Sequence, residues 1–284
     1  MLEIFSTQSK VKTCDLCGTH SDDFDIVRTF NSSEWDPVRN YFKDNSNAPN
    51  IYRHIPLVFN YVMCNNCGLV FVSPRLKDKI VNKFYDDYLS GKFSGYVNLY
   101  DSEHRESIFQ SYLSLFKGYI PISEKIQYFL DIGCASGFFL KLMNQQGFTS
   151  EGIEVSPIIG EKAKRYGNIY IGDVVDQLNR LPDNKYSVIS LVDSIEHFKS
   201  PRKALQLVFY KLKQDGIVFI ETPNYYAHRD EMSRHFYLFT SDTLEKLLTE
   251  TGFKVLLSDL TGAKYNPTDR ETNNRFLTII AQKC

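Results

Sequence analysis

The sequence contains no run of about 18 consecutive apolar residues, so no segment is expected to cross a membrane as a helix. It also lacks net charge. Across 284 residues, 33 Lys and Arg stand against 34 Asp and Glu, a formal charge of -1. That balance removes any global electrostatic case for nucleic acid or an anionic membrane as partner. The first residues, MLEIFSTQSK, lack the apolar core of a secretory signal, which makes a cytoplasmic location the expectation. Without an oxidising destination, the six cysteines are not expected to form a disulfide framework. What is present is ordinary for a globular chain: 43% hydrophobic and 24% charged residues, enough apolar side chain to bury a sizeable core and to argue against disorder.

Four of the cysteines stand in two pairs, Cys14-Asp-Leu-Cys17-Gly and Cys64-Asn-Asn-Cys67-Gly, while Cys134 and Cys284 are isolated. Two C-x-x-C knuckles in a reducing compartment point to one metal site of four thiolates, which suits tetrahedral zinc. Iron in a rubredoxin-like arrangement uses similar knuckles. Four protein ligands leave no open position, so the metal is expected to be structural. Gly18 and Gly68 fit the tight turns that follow each pair.

Three regions follow from the patterning. Residues 1–75 hold the knuckles, an Asn-rich loop (40–50) and two strand-like runs, HIPLVFNYVMC and GLVFVSP, that predict a small β-ribbon. Such a module has little core of its own, and a metal would supply much of its folding free energy. Residues 76–124 predict helices over LKDKIVNKFYDDYL and SEHRESIFQSYLSLFKGYI, the second carrying Ile108, Tyr112, Leu115, Phe116 and Tyr119 on one side. From 125 to 284, strand and helix alternate. Ser156-Pro157 and Ser200-Pro201 open helices, and Ser241 and Gly252 bracket another. The fold class read from this is α/β, a doubly wound parallel sheet with a small N-terminal module.

The segment FLDIGCASGF follows the first of these strands and opens a helix. Gly133, Cys134, Ala135 and Gly137 make a turn of small residues through which backbone can approach a ligand at a helix N-terminus. Glu154 closes the next strand, where a carboxylate accepts ribose hydroxyls, and Asp173 closes the third, where one can receive an adenine amino group. Turn and acids together define an adenosine site.

DIGCASGFF, EGIEVS, GDVVD, SIEHFKSP, GIVFIETPN and HFYLFTSDTLEKLLTETGF, in that order, resemble the class I S-adenosylmethionine-dependent methyltransferases over residues 125–284. The paired C-x-x-C region with GLVFVSPR is similar to a zinc-binding segment preceding some of them, sugar C-methyltransferases among them. Those sugar enzymes carry a further C-terminal domain that this chain is expected to lack. The resemblance implies a seven-stranded Rossmann-like sheet of order 3-2-1-4-5-7-6, its last strand antiparallel, with S-adenosylmethionine at Asp131, Gly133, Gly137, Glu154 and Asp173. Asp193 joins this set as a further cofactor-site candidate.

Glu196-His197 follows the fourth strand, on the carboxyl edge where doubly wound sheets place active sites. A neutral His197 is suited to take a proton from an acceptor hydroxyl. Some relatives hold Mg²⁺ there with two carboxylates and two histidines, for which Asp193, Glu196, His197 and His235 would be the candidates. The short acid at 193 and the loose spacing of 235 favour His235 as a wall of the acceptor pocket instead. The expected reaction is methyl transfer to a small molecule, a sugar or sugar nucleotide hydroxyl being the candidate. A non-catalytic zinc-containing adaptor on the same scaffold is the alternative. Tyr225, Tyr226, His228, Arg229 and Arg234 form a loop cluster suited to an anionic group or simply to solvent.

Overall fold

In the computed structural model, the described residues are 8–31, 58–77, 81, 103–120, 127–227, 235–261 and 276–284. Strand β1 (Gln8–Ser9) pairs antiparallel with β5 (Arg75–Leu76), closing the N-terminal region on itself. Between them, β2 (Phe24–Asn31), β3 (Val58–Cys64) and β4 (Val70–Val72) form an antiparallel sheet. The expected ribbon is therefore larger than β3 and β4 alone. Strand β2 escapes sequence reading because it is an edge strand, with Ile26 62% exposed and charges interleaved. The Asn-rich loop lies outside the described residues, as does most of the helix expected over 76–89. Leu76, expected at that helix's start, instead ends β5.

Helix α1 (Glu103–Phe116) crosses to the central sheet. There β6 (Tyr128–Ile132), α2 (Phe138–Gln145), β7 (Thr149–Glu154), α3 (Pro157–Ala163) and β8 (Asn168–Ile171) make the first half. After α4 (Val174–Arg180) come β9 (Tyr186–Val192), α5 (Pro201–Lys211), β10 (Leu212–Pro223) and the short β11 (Tyr237–Leu238). Helix α6 (Ser241–Glu250), β12 (Phe253–Thr261) and β13 (Phe276–Lys283) end the chain. The order β12-β13-β10-β9-β6-β7-β8, with β13 antiparallel to both neighbours, is the 3-2-1-4-5-7-6 arrangement that the resemblance implies. No helix among the described residues is long and apolar enough to cross a membrane.

Three local expectations are corrected. Helix α4 goes unread because it is only seven residues long and opens on two β-branched valines. The N-cap of α6 is Thr240, not Ser241: Thr240 Oγ1 accepts from Thr243 N at 3.2 Å and Thr240 N donates to Thr243 Oγ1 at 2.9 Å, a capping box. Strand β10 begins at Leu212, where the run SPRKALQLVFYKLK predicts that the helix opened by Ser200-Pro201 continues to Lys213. The caps at Ser156 and Ser200, each followed by proline, stand as expected.

Two cores flank the sheet. On one face Ile108, Tyr112 and Phe116 of α1 pack on Phe129, Phe139 and Phe219, with Phe116–Phe219 ring centroids 5.1 Å apart. Each buried ring of this kind contributes on the order of 2 kcal/mol from area alone. Tyr112 donates its hydroxyl to the buried Glu221 carboxylate, satisfying two polar groups that would otherwise be costly there. The other core is continuous from Cys14, Leu16 and Tyr61 of the N-terminal region through Phe236–Phe239 to Leu191, Val218 and Ile279. Strand β11 makes that continuity covalent: although it follows β10, it pairs antiparallel with β4, so the N-terminal sheet has the order β11-β4-β3-β2.

Candidate active site

The turn between β6 and α2 holds three left-handed residues, Gly133 (φ 82), Ala135 (φ 46) and Gly137 (φ 85). Gly133 is needed for space as well: a Cβ there would stand 2.9 Å from Ser194 Cβ. At Gly137 a Cβ would meet Ala163 Cβ at 3.0 Å, so glycine lets α2 pack against α3. Ala135 holds a conformation that costs a side-chain-bearing residue about 1 kcal/mol. The strain is offset by its N–H, which donates to Glu154 Oε2 at 3.0 Å. Cys134 is a buried packing residue whose sulfur fills the place that a Cβ on Gly152 would need.

Glu154 is buried, and its second oxygen accepts from Ser156 N at 2.9 Å. Burial pushes its pKa up, while the N–H groups of Ser156 and Ala135 work against the rise. Asp131 is also buried. Desolvation raises it to about 7, opposed by Ser190 Oγ donating at 2.5 Å and reinforced by the Glu154 charge. Asp173 caps α4, its Oδ1 accepting from Val175 N at 2.9 Å, and its Oδ2 stands 3.6 Å from Lys199 Nζ.

A cavity of about 480 Å³ opens over these groups at the carboxyl edges of the strands. Asp131, Gly133, Glu154 and Asp173 line it together with Asp193, Ser194, His197 and Phe198. The volume falls in the range of small-molecule sites. Ser194 Oγ is buried with no partner among the described residues, which leaves one polar group for a ligand to satisfy. The two acids retain lone pairs beyond those their backbone donors use. The cavity therefore fits an adenosine cofactor. Sequence reading did not identify Phe109 of α1, Ser194, Lys199 or Lys203 as part of this cavity. Phe109 sits in a helical apolar pattern that names core and cavity walls alike.

Beyond β9, Asp193 turns the chain with φ 47, its N–H donating to Glu221 O at 3.0 Å, and a short 3-10 turn spans Ile195–His197. Glu196 is buried and accepts from Thr222 Oγ1 at 2.9 Å. His197 Nε2 lies 3.8 Å from Glu196 Oε1, and the His197 and His235 rings are 4.8 Å apart. Donor atoms of Glu196, His197 and His235 fall within 4.8 Å of one another. Asp193 does not join them, so three of the four expected metal candidates come together. Of the trio, His197 lines the cavity. His235 does not; its neighbour Phe236 does. Tyr225 and Tyr226 are in ring contact, while residues 228–234 lie outside the described residues.

Some distance along the same core, the four paired cysteines converge. Cys14 Sγ is 3.5 Å from Cys67 Sγ, and Cys17 Sγ is 3.5 Å from Cys64 Sγ. Metal–sulfur bonds of ~2.3 Å in a tetrahedron set sulfurs ~3.8 Å apart, so the quartet is close to a ready coordination shell. Gly18 and Gly68 take the left-handed turns expected of them, with φ 75 and 76, each donating N–H to the carbonyl of the first cysteine of its knuckle. Burial pushes the Cys14 thiol up and the Cys67 thiol to about 12. At the half-buried Cys17, burial is outweighed by hydrogen bonds from Thr19, Asn66 and Cys64, which lower the thiol to about 6. Thiolates in so dry a place need a cation beside them, and the donor set fits a soft dication.

Comparison with known proteins agrees with this geometry. A family profile described as a methyltransferase domain matches residues 100–258. The chain is similar to ubiquinone biosynthesis O-methyltransferases. It is 29% identical over 105 residues to that of Actinobacillus pleuropneumoniae, covering 34% of this chain and 45% of that one. To that of Pasteurella multocida it is 26% identical over 110 residues, covering 34% and 46%. It thus spans less than half the length of these curated relatives. Among solved structures, a SAM-dependent methyltransferase from Archaeoglobus fulgidus superposes with TM-score 0.54 at 20% identity, over 66% of this chain and 100% of that one. Magnesium protoporphyrin IX methyltransferase from Synechocystis superposes with TM-score 0.53 at 12% identity, over 73% and 100%.

Proposed function

Because the chain belongs to the class I S-adenosylmethionine-dependent methyltransferases, we propose that it methylates a hydroxyl of a small-molecule acceptor, with His197 as general base. S-adenosylmethionine, when bound, supplies a methyl group on a positively charged sulfur. In this reading Glu154 accepts the ribose hydroxyls and Asp173 meets the adenine edge. The turn of Gly133, Cys134 and Ala135 brings backbone to the ligand, and Asp131, Asp193 and Ser194 complete the wall. The observation that carries the reading is that His197 lines the same cavity as those acids. Its neutral imidazole takes the acceptor proton, and Glu196, anchored by Thr222, stands close enough to favour the imidazolium that results. The O-methyltransferase names among the relatives support a hydroxyl acceptor. A sugar or sugar nucleotide remains the acceptor class proposed from the sequence.

The test is labelled methyl transfer to a panel of hydroxyl-bearing metabolites. His197→Ala is expected to lower kcat about 10²–10⁴-fold while calorimetric affinity for S-adenosylmethionine holds. Wild-type turnover should fall as pH drops through the histidine's pKa, since the protonated ring accepts nothing. A variant with near wild-type turnover overturns the assignment.

One observation favours a second reading: the Glu196, His197 and His235 donors are close enough to share a divalent ion against the acceptor. Loss of turnover in EDTA, restored by Mg²⁺ or Mn²⁺, with Glu196 and His235 variants as impaired as His197, would select it.

Cys14, Cys17, Cys64 and Cys67 are read as ligands of one structural zinc ion, supported by the sulfur spacings and the dry surroundings. Elemental analysis should find one zinc per chain; iron, with its colour, would replace that assignment. Residues 1–75 are read as the metal module, 76–124 as a helical connection and 125–284 as the methyltransferase unit; the N-terminal region shares one core with the central sheet, and α1 packs in the other.

A further inference from the structure

The N-terminus of α5 is capped twice. Ser200 caps it from within, its Oγ accepting from Lys203 N at 3.3 Å. Asp15 caps it from far away in sequence, Oδ2 accepting from Arg202 N at 2.8 Å and Oδ1 from Ser200 Oγ at 2.6 Å. A helix N-terminus collects unpaired N–H groups and partial positive charge, so a carboxylate is held firmly there. The contact is returned: Arg202 Nε donates to Asp15 O at 2.9 Å, and its Nη2 donates to Leu16 O and to Glu250. Asp15 and the buried Leu16 are the two residues between Cys14 and Cys17. The first knuckle is thus bolted to α5 by its own interior.

A second set of bonds reaches the same place. Lys199 O accepts from Tyr237 Oη at 3.1 Å and from Arg75 Nη1 at 3.3 Å, and the Arg75 guanidinium lies over the Phe236 ring, 5.4 Å from its centroid. Both donors belong to strands of the N-terminal region, β11 and β5. Phe198, Lys199, Ser200 and Lys203 line the cavity beside His197. That wall is therefore set from outside the central sheet.

We propose that Asp15 is a positioning residue for the cavity: presented by the first knuckle, it fixes the wall from Phe198 to Lys203, so that the state of the four-cysteine centre is expressed in cofactor affinity. The clamp rests on hydrogen bonds alone; its dependence on metal rests on the zinc reading above.

The experiment is calorimetric titration of S-adenosylhomocysteine into the full chain, paired with hydrogen exchange read by mass spectrometry. Asp15→Ala is expected to weaken affinity several-fold, with about thirtyfold as the ceiling if the whole free energy of a lost helix N-cap is felt at the cavity. Exchange should quicken in peptides covering 195–203 and stay at wild-type rates over 128–154 and 276–284. Asp15→Asn, which keeps one acceptor oxygen, should fall between. Glu250→Gln, which removes only the outer partner of Arg202, should match wild type. A folded Asp15→Ala protein with wild-type affinity overturns the proposal, whether or not its exchange changes. If that variant fails to fold, Asp15→Asn at wild-type affinity overturns it equally. Stripping the wild type with a chelator should reproduce the loss seen in Asp15→Ala and add little to it; a stripped protein of full affinity overturns the coupling. A wild type that holds no metal would fail the zinc reading, while the Asp15 comparison still decides the clamp.

Discussion

The two walls of the cavity are built differently. The wall formed by the glycine-rich turn and the acids is secured by its own neighbourhood: Glu154 is held by Ser156 and Ala135, and Asp131 by Ser190 on an adjacent strand. The segment just beyond His197 is secured by residues distant in sequence, Asp15 at a separation of 187 residues and Arg75 at 124, while His197 N donates to the nearby Ser194 O. Parallel strands and their turns are enough to place groups for a cofactor that a whole family shares. The segment from Phe198 to Lys203, by contrast, is tied to the N-terminal region by long-range hydrogen bonds.

The sharpest way to break this contrast is at the metal. On the zinc reading proposed above, Cys17→Ser is expected to abolish metal binding and to cost several kcal/mol of stability in the N-terminal region, because the ion would supply folding energy there. Elemental analysis and thermal unfolding check this, and the central sheet, with its own aromatic core, should keep its circular dichroism to a higher temperature. Next in size is the sheet-secured wall itself. Glu154→Ala should weaken S-adenosylmethionine binding by about 1–3 kcal/mol, the cost of hydroxyls left without a charged acceptor. Glu161→Ala on α3, which breaks only an exposed pair with Lys164, should leave calorimetric affinity unchanged.

Asp131 sharpens the contrast through pH. Its folded pKa of about 7 lies above the usual carboxylate range, so between about pH 4 and pH 7 the folded chain keeps a proton that the unfolded chain releases. Stability from this group therefore falls as pH rises through that window, by up to about 1.4 kcal/mol per unit. Asp131→Asn should flatten that slope in urea unfolding of the ligand-free protein. The smallest effect belongs to neither wall: Thr240→Ala should cost about 1 kcal/mol through the lost capping box of α6, with cofactor affinity untouched.

How much of this is legible in the sequence follows the same division. Strands such as β6 and β9 are legible because apolar runs stand between turn residues, β7 through its place in the strand–helix alternation, and the paired cysteines because two residues of spacing suit one ion. Gly133, Glu154, Asp173 and His197 converge on one cavity because each lies at or shortly after the carboxyl end of a strand on the same edge, a position that strand and helix alternation makes countable. Helix α4 is illegible because valines at its start mask a seven-residue helix, although Asp173, read as a ligand-side acid, is also the cap that starts it. Asp15 carries no local signal at all. It is an ordinary knuckle residue until folding brings α5 beneath it. Ser194 and Phe109 likewise acquire meaning only from what packs across from them.

Strand β11 has a practical consequence. Because two residues from beyond β10 complete the N-terminal sheet, the accessory region is not one continuous stretch of chain. Anyone exchanging it between relatives would have to transplant two pieces together, residues 8–77 and residues 235–239. A single-junction chimera would leave β4 without its matched neighbour and Phe71 without the Tyr237 ring, 6.2 Å away, on which it rests.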